Sequence, residues 1–233
     1  MLRDWALLIV LTALAFAFPI RMAATKEAAI ALMLMSWCFG MFIFRRSILA
    51  WGISVFILAF VLWAALTPAK PYDREALRSE YVRCLGGYMG VKYVWGGENS
   101  LGIDCSGLVR EGMIVASLRR GLATANPGLV RDGIFVWWHD CSAAMLGDGY
   151  GGRTQRICDT DSLNTLNYAR LRPGDIAVTE GGVHTLAYLG RQTWIEADPN
   201  ALTGDKVIEV TVPRSRNAWL NVGMRILRWR SLN

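Results

Sequence analysis

The sequence predicts an α+β domain with an antiparallel sheet, preceded by a membrane-embedded helical segment. Residues 1–66 consist of three apolar runs with little charge between them. In the rest of the chain, helix-period patterns come first and short strand-like runs follow. Helices gathered ahead of strands favour an α+β layout over alternating parallel units.

Charge supports this division. Residues 1–66 hold seven charged side chains (Arg3, Asp4, Arg21, Lys26, Glu27, Arg45 and Arg46), and residues 67–233 hold the other 37. Hydrophobic residues make up 53% and charged residues 19% of the chain, which excludes a disordered protein. The net charge of +6 is split as +3 and +3. The larger part is therefore nearly balanced, and it shows no basic stripe with interleaved aromatics, so no nucleic-acid partner is expected.

The apolar runs cover about 5–20, 28–44 and 48–66, or 16, 17 and 19 residues, each without a charge. As helices they reach roughly 24, 26 and 29 Å, against a hydrocarbon core of about 30 Å. Lipid offers no partner to backbone polar groups, so helix is the open-chain solution. Trp5, Trp51 and Trp63 sit near run ends, where amphipathic rings settle. Residues 1–66 thus read as an anchor of three transmembrane helices, with the lipid bilayer as partner. Ala15-Phe16-Ala17 also resembles the cleavage site of a signal peptide, but Asp4 and the two further runs speak against one. With three spans, Arg3, Arg45 and Arg46 face one side and Arg21, Lys26 and Lys70 the other, which leaves orientation undecided.

Pro68 and Pro71 mark a linker over 67–72, and a domain is expected over 73–233. Asp73 caps a helix over 74–86, closed by Gly86-Gly87. Lys92–Trp95 is β-prone and ends in the Gly96-Gly97 turn. Residues 106–120 form an apolar-faced helix. The Gly- and Asn-rich stretch 121–168 has no clean period and is expected to be an irregular insertion. After Leu171-Arg172-Pro173-Gly174-Asp175, strand-like runs recur at 176–179, 183–189, 193–197, 207–212 and 224–229.

Chemistry concentrates on one cysteine and one histidine. Asp104-Cys105-Ser106-Gly107 stands where a glycine-rich loop becomes a helix. A first helical turn has free N–H donors and partial positive charge, which favour a thiolate and can hold an oxyanion. Of the two histidines, His184 opens a strand after glycines, whereas His139 lies in the aromatic Trp137-Trp138-His139-Asp140 stretch. On the next antiparallel strand Glu196 is placed to accept the second ring N–H of His184 and fix its tautomer. Asp198 and Asn200 are nearby rivals for that place. Asp104 and Ser106 are candidates for substrate contact, with helix capping as the competing role.

The stretch Tyr93-Val-Trp-Gly-Gly-Glu-Asn through Gly102-Ile-Asp-Cys-Ser-Gly-Leu-Val109 resembles the NlpC family of cell-wall cysteine peptidases. The Leu171–Asp175 turn, Val183-His184 and Ile195-Glu-Ala197 follow in the family's order, so the resemblance covers roughly 80–229. It implies a papain-like fold in which the cysteine-bearing helix packs on an antiparallel sheet. It also implies hydrolysis of γ-D-glutamyl-diamino acid or related amide bonds in peptidoglycan stem peptides, with Cys105 as nucleophile, His184 as general base and acid, and Tyr93 near the thiolate and its oxyanion. A wall substrate would put the domain on the outer side of a bacterial inner membrane. Two features depart from the family: Glu196 stands where it usually has His, and the 79 positions from Cys105 to His184 exceed its usual gap. The CHAP amidases use a similar Cys, His and carboxylate or Asn. The alternatives are an amidase, deamidase or acyltransferase acting off the wall, and a silent wall-binding module.

No cofactor is implied. The chain has no C-x-x-C, and its histidines lack metal-ligand spacing. Cys141 and Cys158 could pair in an oxidising compartment.

Overall fold

The structure is a computed structural model and describes residues 1–200, 202, 204–213 and 217–233. It opens with three apolar helices, α1 (Leu2–Ala17), α2 (Ala23–Ile43) and α3 (Ile48–Leu66). By length and composition, α2 and α3 are long and apolar enough to cross a membrane, whereas α1 has only 16 residues. Of the three expected spans, two helices therefore have sufficient length. α1 and α2 form a hairpin in which the Trp5 indole lies on Gly40 and donates to the Ser36 carbonyl at 3.0 Å. α2 starts ahead of its apolar run, so Lys26 and Glu27 lie within it. Only Ala64 of α3 is buried, leaving a bare apolar cylinder.

Next come α4 (Arg74–Gly86), a two-stranded ribbon of β1 (Glu98–Asn99) and β2 (Gly102–Ile103), α5 (Cys105–Ala123), α6 (Pro127–Trp138) and α7 (Ala143–Gly147). Asp73 caps α4 as expected, accepting from the Glu75 and Ala76 N–H groups. A six-stranded sheet follows, built from β3 (Thr154–Thr160), β4 (Ile176–Thr179), β5 (Thr185–Gly190), β6 (Thr193–Asp198), β7 (Lys206–Thr211) and β8 (Met224–Trp229). The order is β3-β8-β4-β5-β6-β7, and every pairing is antiparallel. The expected fold class, helices packed on an antiparallel sheet, is what the structure shows.

Strand alternation divides the core. Ile176, Val178, Ala187, Ile195 and Ala197 face α4 and α5, joining Leu77, Tyr81, Leu85, Leu108, Val109 and Met113. Ala177, Leu186, Tyr188, Trp194, Val210 and Ile226 point to the opposite face and pack with Leu163 and Leu220. The Leu171–Asp175 turn is fixed by a buried fork in which the Arg228 guanidinium donates to both Asp175 oxygens at 2.6 and 2.8 Å.

Three local expectations differ from the structure. Stretch 121–168 is not irregular throughout, since it carries α6, α7 and edge strand β3. Asn126 caps α6 with Pro127 in its first turn, and Leu129, Val130 and Val136 are buried. Gly133 breaks the apolar stripe because α6 closes on α5 there: a Cβ would lie 2.9 Å from Leu118. Lys92 and Tyr93 make only single bridges, to Lys206 and Ile103. All five cysteines are unpaired. Cys141 packs into the helix-side core and Cys158 against the opposite one, which keeps the two thiols apart.

Candidate active site

Cys105 is the first residue of α5, and the loop before it is locked from several directions. Asp104 is the N-cap. Its Oδ1 accepts from the Gly107 N–H at 2.6 Å and the Ser106 hydroxyl at 2.9 Å, and its Oδ2 accepts from the Gly96 N–H at 2.8 Å. The Asp104 N–H donates to the Gly97 carbonyl at 3.0 Å. The approach leaves no room for a side chain at 107, where a Cβ would meet that carbonyl at 2.1 Å. Burial raises the Asp104 carboxyl pKa, and the hydrogen bonds from Gly107 and Ser106 oppose this. Asp104 thus caps the helix, and the Ser106 hydroxyl is spent on the capping carboxylate.

His184 lies one residue before β5, at the end of a glycine turn, and is buried. The Thr179 hydroxyl accepts from its backbone N–H at 3.0 Å, and its carbonyl accepts from the Thr179 N–H at 3.0 Å. The ring is held from three sides. Glu196 Oε2 lies 2.7 Å from Nε2, the Trp219 indole stacks on the ring at 4.3 Å between centroids, and the Cys105 thiol is near enough to raise the ring's pKa. With Nε2 engaged by Glu196, Nδ1 is the nitrogen left for sulfur. Burial alone would lower the His184 pKa, but its interactions with Cys105 and Glu196 outweigh this and raise it to about 9.

Glu196 on β6 is fully buried, and its Oε1 accepts from the Asn217 amide at 2.7 Å. Asp198 accepts instead from the Trp219 indole N–H at 3.4 Å, and the Asn200 side chain accepts from the Leu202 N–H. Tyr93 is half-buried. Burial raises its hydroxyl pKa, and the charges of Cys105 and Asp104 raise it further, which marks it as a neighbour of the sulfur. His139 stacks on Phe135 at 3.8 Å at the end of α6, and its Nδ1 lies 3.0 Å from the Phe135 carbonyl.

The structure therefore brings Cys105, His184, Glu196 and Tyr93 together. Asn217 and Trp219 were not anticipated. Asn217 caps the short turn Ala218–Asn221, its side chain accepting from the Trp219 N–H at 2.9 Å; an Asn two residues before Trp was the available signal. Among the described residues no group of His, Cys, Asp or Glu could hold a metal ion.

The structure thus sets a thiol at a helix N-terminus and, on an antiparallel sheet, an imidazole that a carboxylate pins. The NlpC/P60 family model matches residues 90–223, and the chain belongs to the NlpC/P60 family. Among solved structures it is similar to NlpC1 of Trichomonas vaginalis, with 17% identity over 70% of this chain and 48% of that one and a TM-score of 0.43. It is also similar to the peptidoglycan hydrolase RipB of Mycobacterium tuberculosis, with 23% identity over 70% of each chain and a TM-score of 0.40. A third is the P60 domain of a Mycobacterium avium subspecies paratuberculosis antigen, with 22% identity over 65% of this chain and 95% of that one and a TM-score of 0.38. The chain spans about half the length of the Trichomonas NlpC1 and NlpC2 structures it matches. No curated protein sequence matches it.

Proposed function

We propose that the protein is a membrane-anchored cysteine hydrolase that cleaves amide bonds in peptidoglycan stem peptides. The observation that carries this is the series Cys105, His184, Glu196, in which Glu196 pins the buried His184 ring at 2.7 Å and the thiol at the head of α5 interacts electrostatically with it. Its order fits a nucleophile, a proton carrier and the group that orients the carrier.

In this reading the Cys105 thiolate attacks the amide carbonyl carbon, and the C–S bond forms as the carbonyl π pair moves to oxygen. The N–H groups of the first turn of α5 left free by the Asp104 cap and the Tyr93 hydroxyl are the donors this reading assigns to that oxyanion. Protonated His184 gives its proton to the leaving nitrogen as the C–N bond breaks. Water, deprotonated by His184, then attacks the thioester, releasing a carboxylate product and the thiolate. Glu196 keeps the ring in one orientation and stabilises its cationic form, with Asn217 holding the carboxylate. Asp104 and Ser106 shape the turn beneath the sulfur.

The bare apolar surface of α3 and the length of α2 support a membrane anchor. Family membership supports the wall-peptide substrate, which in turn favours a domain on the outer side of the inner membrane. The test is digestion of purified muropeptides by the full-length protein in detergent or nanodiscs. Cleavage of an amide bond that disappears in Cys105→Ala is expected. Cleavage that survives the substitution overturns the mechanism.

A further inference from the structure

We infer that this site is fixed against the bilayer surface and takes amide substrates carried by membrane lipid, in preference to wall polymer at a distance. The inference rests on the membrane and hydrolase reading above and names the substrate class of the same site.

Two separate clamps hold the domain to the helices. The first runs through the turn between α1 and α2. Ile20 bridges Gly97 in antiparallel fashion. The Arg21 N–H donates to the Gly96 carbonyl at 3.0 Å, and the Glu98 N–H donates to the Pro19 carbonyl at 3.0 Å. The Asn99 amide reaches the carbonyls of Ala17 and Phe18, the last of α1 and its cap, at 3.1 and 3.2 Å. Lys26, in the first turns of α2, is buried, with its ammonium 3.5 Å from Glu98 Oε2, and Glu98 is also paired with the buried Arg110 of α5.

The second clamp holds the end of α3. Arg131 of α6 donates to the carbonyls of Ala64 and Thr67 at 2.6 and 2.8 Å. Asn126 pins the linker by donating to the Lys70 carbonyl at 2.8 Å. The linker 67–72 is therefore no free tether. Even released and fully extended, its six residues would span only about 20 Å.

The first clamp lands on the loop that builds the site. Gly96 and Gly97, which receive the α1–α2 turn, are the residues that hold Asp104 at the start of the Cys105 helix. Two hydrogen-bonded chain steps separate the turn from Asp104, roughly 10 Å at strand spacing. Trp95, 79% exposed, and Leu101, 64% exposed, project from the same loop, where a bilayer interface receives apolar and aromatic side chains. With the α1–α2 turn and the end of α3 both pinned, the cleft cannot swing away from the membrane. A substrate has to come to it, and one held in the same leaflet by a lipid tail does so at high effective concentration. The bond cleaved and the proton path are those proposed above.

The experiment uses the full-length protein in phosphatidylethanolamine–phosphatidylglycerol vesicles and one stem peptide in three forms. The peptide is free, joined to a lipid by a short spacer, or joined by a flexible polyethylene glycol spacer reaching about 100 Å. At equal total peptide, the short-spacer form is expected to be cleaved about tenfold or more faster than the free form and about threefold or more faster than the long-spacer form. Equal rates with the short and long spacers, or fastest cleavage of the free peptide, overturn the surface-fixed reading and leave the hydrolase intact. Failure to cleave any form overturns the wall-peptide reading and this inference with it. Cys105→Ala should remove cleavage of all three.

Discussion

Glu196 Oε2 sits 2.7 Å from His184 Nε2, with neither group accessible to water. A buried carboxylate at that distance from a buried ring fixes which nitrogen carries the proton and stabilises the imidazolium. Glu196→Gln keeps a neutral acceptor in nearly the same shape but removes the charge. The expected result is a fall in kcat of about 10²-fold or more with a small change in KM, checked by steady-state kinetics on a stem peptide. Asn217→Ala, which loosens the carboxylate without removing it, should cost less, about tenfold.

The same pair sets a pH dependence. The His184 pKa is raised from 6.5 to about 9 in the folded protein, so the ring is protonated at neutral pH and loses its proton as pH rises through 9. The alkaline limb of kcat/KM should therefore lie near 9 and move toward neutrality in Glu196→Gln. A raised histidine pKa also stabilises the fold by linkage. That contribution is fully present below 6.5 and lost as pH climbs to 9, so thermal midpoints should decline over that window and decline less in His184→Gln. A limb that stays in place in Glu196→Gln would falsify the role given to the carboxylate.

Much of this site was legible in the sequence because its parts are local. Asp104, Cys105 and Gly107 lie within a single helical turn, where the cap and the glycine announce themselves. His184 and Glu196 are twelve positions apart across one hairpin, close enough for strand alternation to bring them to one face. Asn217 and Trp219 reach the same pocket from the connection between β7 and β8, and no period in the chain predicts where a long connection folds back. α6 was hidden because Gly133 interrupts its apolar stripe; the reason is a close approach to α5, a tertiary fact. The contact of Ile20 with Gly97 joins an anchor turn to a loop 77 positions away, and nothing in either segment alone encodes it.

Gly107 tests the backbone geometry beneath the sulfur. A Cβ there would fall 2.1 Å from the Gly97 carbonyl, and neither partner is a flexible side-chain end. Gly107→Ala should shift the loop, cost about 1–3 kcal/mol, and slow alkylation of Cys105 by iodoacetamide. Asp104→Ala, which removes the cap while leaving space, should cost about 1–2 kcal/mol. Chemical denaturation and the alkylation rate read the two effects separately.

Glu98 tests whether anchor and domain are one structural unit. Its carboxylate lies between Lys26 of α2 and Arg110 of α5, and all three side chains are buried. Breaking a buried ion pair from one side leaves uncompensated charge, which costs more than the pair itself contributes. Glu98→Gln removes the shared anion from two buried cations and should destabilise the full-length protein by about 3 kcal/mol. Lys26→Met alone leaves Glu98 paired with Arg110 and should cost less. Arg110 keeps Asp140 at 2.8 Å, so Lys26 is the cation left stranded; the double variant removes it, and the loss should fall below that of Glu98→Gln alone, a non-additivity expected only of groups in direct contact. Thermal unfolding in nanodiscs, followed through Cys105 accessibility, measures all three variants. Additive effects would mean that Lys26 and Glu98 do not interact and that the α1–α2 turn is held by its backbone bonds alone.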